Sequence, residues 1–225
     1  MSWRKRLWPF SKTPTVPNVV FQVHFPLNGW TEQPPDGGLR IWHGANGGVL
    51  SLAEVDSGWF SASETKIRDM ARNVAGGQQG GLVELKTVHC AKNKAVRFIY
   101  KRLQGLGYVF TGMFFVRTAS GPVVWTIVDG ERGMTGVREA VVTARLIESR
   151  ALNTREDLEN FLAPDPYDVA SLGVDSRVRC FASDSEEYDS LFLDHPLSNV
   201  RRVLDDLCVW AQSSSNTPTQ EATIQ

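Results

Sequence analysis

The residues of this chain best suited to chemistry are its carboxylates between Asp165 and Asp194 and its four histidines. Neither set falls into a spacing that catalysis or metal binding requires. The stretches Asp165-Pro-Tyr-Asp168, Glu187-Tyr-Asp-Ser190 and Asp194-His195-Pro196 offer oxygen and imidazole ligands for a hard cation, or charge for a basic partner. A calcium loop, however, needs alternating ligands around a fixed glycine, which is missing here. The expectation is therefore a solvated acidic contact loop, Asp184, Glu186, Glu187 and Asp189, with Asp194 or His195 capping the helix that follows. His24, His43, His89 and His195 are scattered, with no pair at i, i+4 to build a metal-binding helix. Cys90, Cys180 and Cys208 form no CxxC pair and read as free thiols. No metal and no cofactor is expected.

Other catalytic frames fail in the same way. Gly76-Gly-Gln-Gln-Gly-Gly81 is glycine-rich, but it follows a helix and precedes a strand, the wrong order for a phosphate cradle. No GxSxG elbow is present. A hydrolase assembled from dispersed residues around His43 or His195 stays open as the alternative. Two basic segments are more suggestive of binding. Lys86, Lys92, Lys94, Arg97, Lys101 and Arg102 run without an intervening acid and are expected on a solvated sheet rim; a surface for an acidic partner and docking of the chain's own 184–194 loop are the other readings. Trp3, Arg4, Lys5, Arg6 and Trp8 have the composition of a partner-touching or membrane-touching tail, which keeps a peripheral membrane protein as a further alternative.

Composition sets the outer bounds. Of 225 residues, 42% are hydrophobic and 22% charged, a globular balance with material for a large core. A net charge of −1 argues against a dedicated nucleic-acid binder. No run approaches the roughly 20 apolar residues that span a bilayer, and the basic start is not followed by an apolar stretch. A cytoplasmic location is expected.

The elements that must position these groups follow from periodicity. Residues 1–18 read as a flexible basic and aromatic tail. Residues 19–150 read as the α+β domain, 151–211 as an acidic loop and helical extension packed on it, and 212–225 as a disordered polar tail. A strand is expected at Val19–Phe25, a loop over 26–38, and a hairpin of 39–43 and 49–55 turning at Asn46-Gly47. A helix follows, with Ser61 and Glu64 as its capping box and Ile67, Met70, Ala71 and Val74 as its buried stripe. Four runs, Leu82–Cys90, Ala95–Leu103, Tyr108–Val116 and Val123–Val128, are joined by connections too short for crossovers and predict an antiparallel meander. The last two are apolar on both alternations, so both sheet faces must be covered by helices. A helix over 135–147 is expected to bury Val137, Ala140, Val141, Ala144 and Ile147. A shorter one starts near Thr154. The last runs over 196–211 and buries Leu197, Val200, Val203, Leu204, Leu207 and Ala211.

This order resembles the Mog1/PsbP-like fold, including its DcrB-like bacterial domains, over about residues 19–150. The residues that carry the resemblance are Phe21-Gln-Val-His-Phe-Pro-Leu-Asn-Gly-Trp30 and the strand Val123–Val128, followed by an acidic glycine-containing loop and a helix with Arg138-Glu139-Ala140. The resemblance implies an α/β/α sandwich and a non-catalytic role in protein binding, chaperoning or assembly. The function expected from the sequence is accordingly a non-enzymatic protein-binding or chaperone-type module, its partner another protein and not nucleic acid.

Overall fold

The computed structural model describes residues 23, 25, 28–35, 39–90, 93–154, 157 and 181–214. Seven antiparallel strands form one sheet: β1 (Trp30–Glu32), β2 (Arg40–Gly44), β3 (Val49–Glu54), β4 (Gly80–Cys90), β5 (Asn93–Gln104), β6 (Gly107–Thr118) and β7 (Gly121–Gly130). Their order is β1-β2-β3-β7-β6-β5-β4. The expected meander is β4 to β7. It closes against the first hairpin through β7, with Leu52 opposite Trp125. β1 lies within the stretch expected to be a loop. Of the strand expected at 19–25, only Val23 and Phe25 are described, and neither is in a strand.

Alternation divides the sheet into two cores. On one face Val96, Phe98, Tyr100, Met113, Phe115 and Val124 pack under α1 (Gly58–Ser61) and α2 (Glu64–Gly77). Trp59 of α1 stacks on Phe115 with ring centroids 4.1 Å apart. The cap of α2 is Ser63, whose Oγ accepts the Lys66 N–H at 3.3 Å, rather than the expected Ser61. Ser61 is instead the last residue of α1, the turn that buries Trp59. On the other face Leu50, Leu52, Ile99, Phe110, Phe114, Trp125 and Ile127 pack under α4 (Pro196–Ser214). Helix α4 supplies Leu197, Val200, Leu204 and Leu207 to that core, as its spacing predicts. It comes closest over Gly112, where a Cβ would stand 2.7 Å from Val200 Cγ1. The architecture is therefore α+β, with a strand-meander sheet covered on both faces.

Helix α3 (Val137–Glu148) departs from expectation. The stripe expected to be buried faces outward: Val137 is 40% exposed, Val141 38% and Ile147 58%. The buried positions are Arg138 and Val142. The physical reason lies in the guanidinium of Arg138, which finds enough acceptors inside to outweigh the apolar stripe.

Candidate functional site

The acceptors for Arg138 come from two 3-10 turns, Ala182–Asp184 and Glu186–Leu191, which lie as a strap between α3 and α4. Arg138 donates to Ser183 O (2.5 Å), Ser198 Oγ (2.9 Å) and Ser185 O (2.9 Å), and it ion-pairs with Asp189 at 2.8 Å. Arg201 of α4 reaches Asp189 at 3.0 Å, Asp184 O at 2.5 Å and Glu84 at 2.9 Å. Lys101 Nζ, fully buried, sits 2.5 Å from Asp184 Oδ2 and over the rings of Phe181 and Tyr108. Lys86 meets Glu186 at 2.6 Å, and Arg97 pairs with Glu84 (3.0 Å) and Asp205.

A β-bulge makes this network possible. The β4–β5 register shifts between Leu82 and Glu84. The extra residue turns Glu84 and Lys86 to the α4 side, beside Arg97 and Lys101. Burial opposes the charge on Lys86, but Glu186 and Glu84 outweigh it and raise its pKa. Lys86 in turn holds Glu186 below its ordinary value.

Two expectations are corrected here. The basic run is not a solvated rim: Arg97 and Lys101 are buried. The 184–194 stretch is not simply a solvated loop: Asp184 is buried and Asp189 half-covered, while Glu186 and Glu187 stay nearer the surface. The physical reason is mutual neutralisation. Lys86 and Lys101 of one run meet Glu186 and Asp184 of the other, while Arg97 is neutralised by Glu84, two residues before the run, and by Asp205.

A cleft of about 520 Å³ opens beside the strap. Its floor is the end of β7 and the loop after it, Asp129 to Met134. Its walls are the first turn of α3, the end of the strap (Leu191 to His195), the first turns of α4, and Asn46 of the β2–β3 turn. Asp129 accepts from Gly130 N (2.9 Å), Arg132 Nη2 (2.8 Å) and Asn199 Nδ2 (2.7 Å). Glu131 accepts from the backbone N–H of Tyr108 (2.7 Å) and Gly136 (3.1 Å). Burial works against the Glu131 charge, but His195 and those two N–H groups prevail and hold its carboxyl below the usual range.

His195 caps α4: its Nδ1 accepts the Leu197 N–H at 3.2 Å. In a neutral ring the proton is then on Nε2, which lies 3.6 Å from Glu131 Oε1, too long for a hydrogen bond. With its lone pair given to the backbone, His195 is poorly placed to act as a general base. His43 lies exposed on β2 and is not part of the cleft lining. No group of three or more metal-ligating side chains is gathered among the described residues. Trp3, Arg4, Lys5, Arg6 and Trp8 lie outside the described residues, as do Cys180 and His24.

No family model matches the chain, and a search of curated proteins finds no match.

Asp129, Glu131, Asn199 and Arg202 are site residues that the sequence did not single out, and Arg138 entered only as part of the Arg138-Glu139-Ala140 segment that carries the family resemblance. The one readable signal was charge imbalance. No base lies within 184–194 and no acid within 86–102, although Glu84 stands two residues before the second run, so most of each run has to find its partner elsewhere in the chain.

Proposed function

We propose that the protein is a non-enzymatic binding module that engages another protein, of the chaperone or assembly-assisting kind, with a Mog1/PsbP-like sandwich as its scaffold and a cytoplasmic location. The observation that carries this reading is the outward-facing apolar stripe of α3. Val141 and Ile147 continue along α3 from Val137 of the cleft lining, which also holds Met134 (84% exposed), Leu193 (65%) and Leu191 (45%). Isolated exposed leucines are ordinary, whereas apolar side chains gathered along one helix and one cleft mark an interaction surface. The engaged state of His195 favours binding over hydrolysis. The thiols support a reducing compartment: Cys90 and Cys208 are unpaired, and no helix among the described residues is long and apolar enough to cross a membrane.

Site-specific photo-crosslinking tests the reading. A benzophenone side chain placed at position 134 or 193 in cells is expected to yield a discrete adduct with a second protein. The same probe at Val209, exposed on α4 about 20 Å along the helix from its start, is expected to yield none. Crosslinks from position 134 that land only within the same chain would show the surface covered from inside the molecule and overturn the proposal.

A further inference from the structure

The geometry points to His195 as a proton-operated switch: neutral, its ring caps α4, and protonated, it leaves that helix for Glu131 on the cleft floor. His195 is the joint between the strap and α4. Its backbone N–H donates to Phe192 O at 3.0 Å, and its C=O accepts the Asn199 N–H at 3.0 Å. The side chain is only 10% exposed, so its nitrogens depend on the protein for partners. Nδ1 has one, the Leu197 N–H at 3.2 Å. Nε2 has no hydrogen-bond partner among the described residues and lies 3.6 Å from Glu131 Oε1.

The cap and the charged ring exclude each other. Accepting from Leu197 requires a lone pair on Nδ1. Protonation places an N–H there, so two donors face each other and the cap is lost. Positive charge beside the N-terminus of a helix adds to the repulsion. The same proton makes Nε2–H the donor of a cation. A charge-assisted bond of about 2.8 Å to the Glu131 carboxylate would then close the gap.

The surroundings decide what moves. Leu197 and Val200 are fully buried, and Asn199 Nδ2 holds Asp129 at 2.7 Å, so the first turn of α4 is pinned to the sheet. Glu131 is pinned by the N–H groups of Tyr108 and Gly136. The ring and the turn from Phe192 to Asp194 are left to move, and they carry Leu193 of the cleft wall. The other charges of the lining are Asp129, Arg132, Asp194 and Arg202. Asp129 and Arg132 pair with each other at 2.8 Å, and Asp194 is exposed. Behind Glu131 stands Glu139 of α3, with Lys101 of β5 and Asp184 of the strap around it. Glu131 is therefore the buried anion placed to receive the imidazolium.

Nuclear magnetic resonance of the nitrogen-15-labelled full-length chain, titrated from about pH 8 to 5, tests this. At the upper end the His195 ring is expected as the Nε2–H tautomer. As it takes up a proton, the amide signals of Leu197 and Leu193 are expected to shift with the midpoint of the ring itself. The hydrogen-exchange protection of the Leu197 amide is expected to fall about fivefold, the worth of one lost cap. His195→Asn keeps a capping oxygen and removes the titrating ring, so it is expected to fold alike and to show no step at Leu197. An Nδ1–H tautomer at pH 8, a ring that stays neutral to pH 5, or a Leu197 amide indifferent to the ring's protonation would overturn the switch. So would a Leu197 step that survives in His195→Asn.

Discussion

Removing the amine of Lys101 tests whether the strap is held by charge. The Lys101→Met variant keeps the length of the side chain and deletes a fully buried cation 2.5 Å from Asp184 Oδ2. At an effective dielectric constant of ~20, charges at that separation attract by about 6–7 kcal/mol, and most of this offsets the cost of desolvating both ions. The rings of Phe181 and Tyr108, 4.0 and 4.7 Å from Nζ, favour the cation further. Without the lysine, Asp184 stays buried as a charge. Among the described residues its Oδ1 has no hydrogen-bond partner, and its Oδ2 keeps only the Phe181 N–H. The expected cost is about 3–5 kcal/mol, the range for breaking one side of a buried pair.

Adding Asp184→Asn removes the orphaned charge and leaves an amide oxygen for Phe181. The double variant is expected within about 1 kcal/mol of the starting protein, so the second substitution recovers ~2–4 kcal/mol of the Lys101→Met loss. Urea unfolding followed by tryptophan fluorescence measures this, since Trp59 and Trp125 are both buried and report on opposite faces of the sheet. An unchanged slope with denaturant confirms that the midpoints report stability. A Lys101→Met cost below about 1 kcal/mol, or a double variant that simply sums the two single losses, would refute the reasoning.

Three further outcomes follow from the same contacts. Glu139 is pushed above its ordinary pKa by burial, and neither of its side-chain oxygens has a hydrogen-bond partner among the described residues. Its folded form therefore holds the proton longer than the unfolded chain does, so this group lowers stability as pH rises above 4.5. Glu139→Gln should stabilise the protein by about 1 kcal/mol at pH 7, with the gain vanishing below its unfolded pKa; a gain that persists at low pH would contradict the assignment. Gly112→Ala should cost ~1–3 kcal/mol, because its Cβ meets Val200 and Leu204 of α4, and Val200→Ala added to it should restore part of the loss in thermal unfolding. Cys90, buried and with its thiol pushed up to about 11 by desolvation, should resist thiol reagents at pH 8 in the native protein and react after unfolding; rapid native labelling, traced by comparison with Cys90→Ala, would show otherwise.

The parts of the fold readable from sequence were those set by short-range periodicity. Phe110 and Phe114 alternate with Met113 and Phe115, so β6 declared two covered faces, and both cores exist. The same logic misled at α3. Val137, Val141 and Ile147 have the spacing of a buried stripe, yet spacing alone says nothing about which face finds a surface to meet. Arg138 decided the matter through Ser183, Ser185, Asp189 and Ser198, partners 45 to 60 residues away. The charge runs at 86–102 and 184–194 were visible, and their mutual docking was one of the readings open to them. Burial was not legible, because a lysine in a strand looks the same whether water or an aspartate lies ahead of it. The cleft was illegible for a related reason. Asp129, Glu131, His195 and Arg202 come from three elements that only the sheet order brings together.

The bulge between Leu82 and Glu84 acts on β4 much as an inserted nucleotide acts on a reading frame. Upstream of it, Leu82 belongs to the side covered by α2; downstream, Leu85 does, and the even-numbered residues point the other way. Losing one residue there would exchange Glu84 and Lys86 for leucine and threonine under α4, and would press two charges into the aromatic layer around Trp59. A one-residue change in the Gly77–Gly80 connection has no such penalty. The chain should therefore tolerate length variation before the kink and almost none between it and Cys90, an asymmetry that a deletion scan of β4 would display as a sharp step in soluble yield.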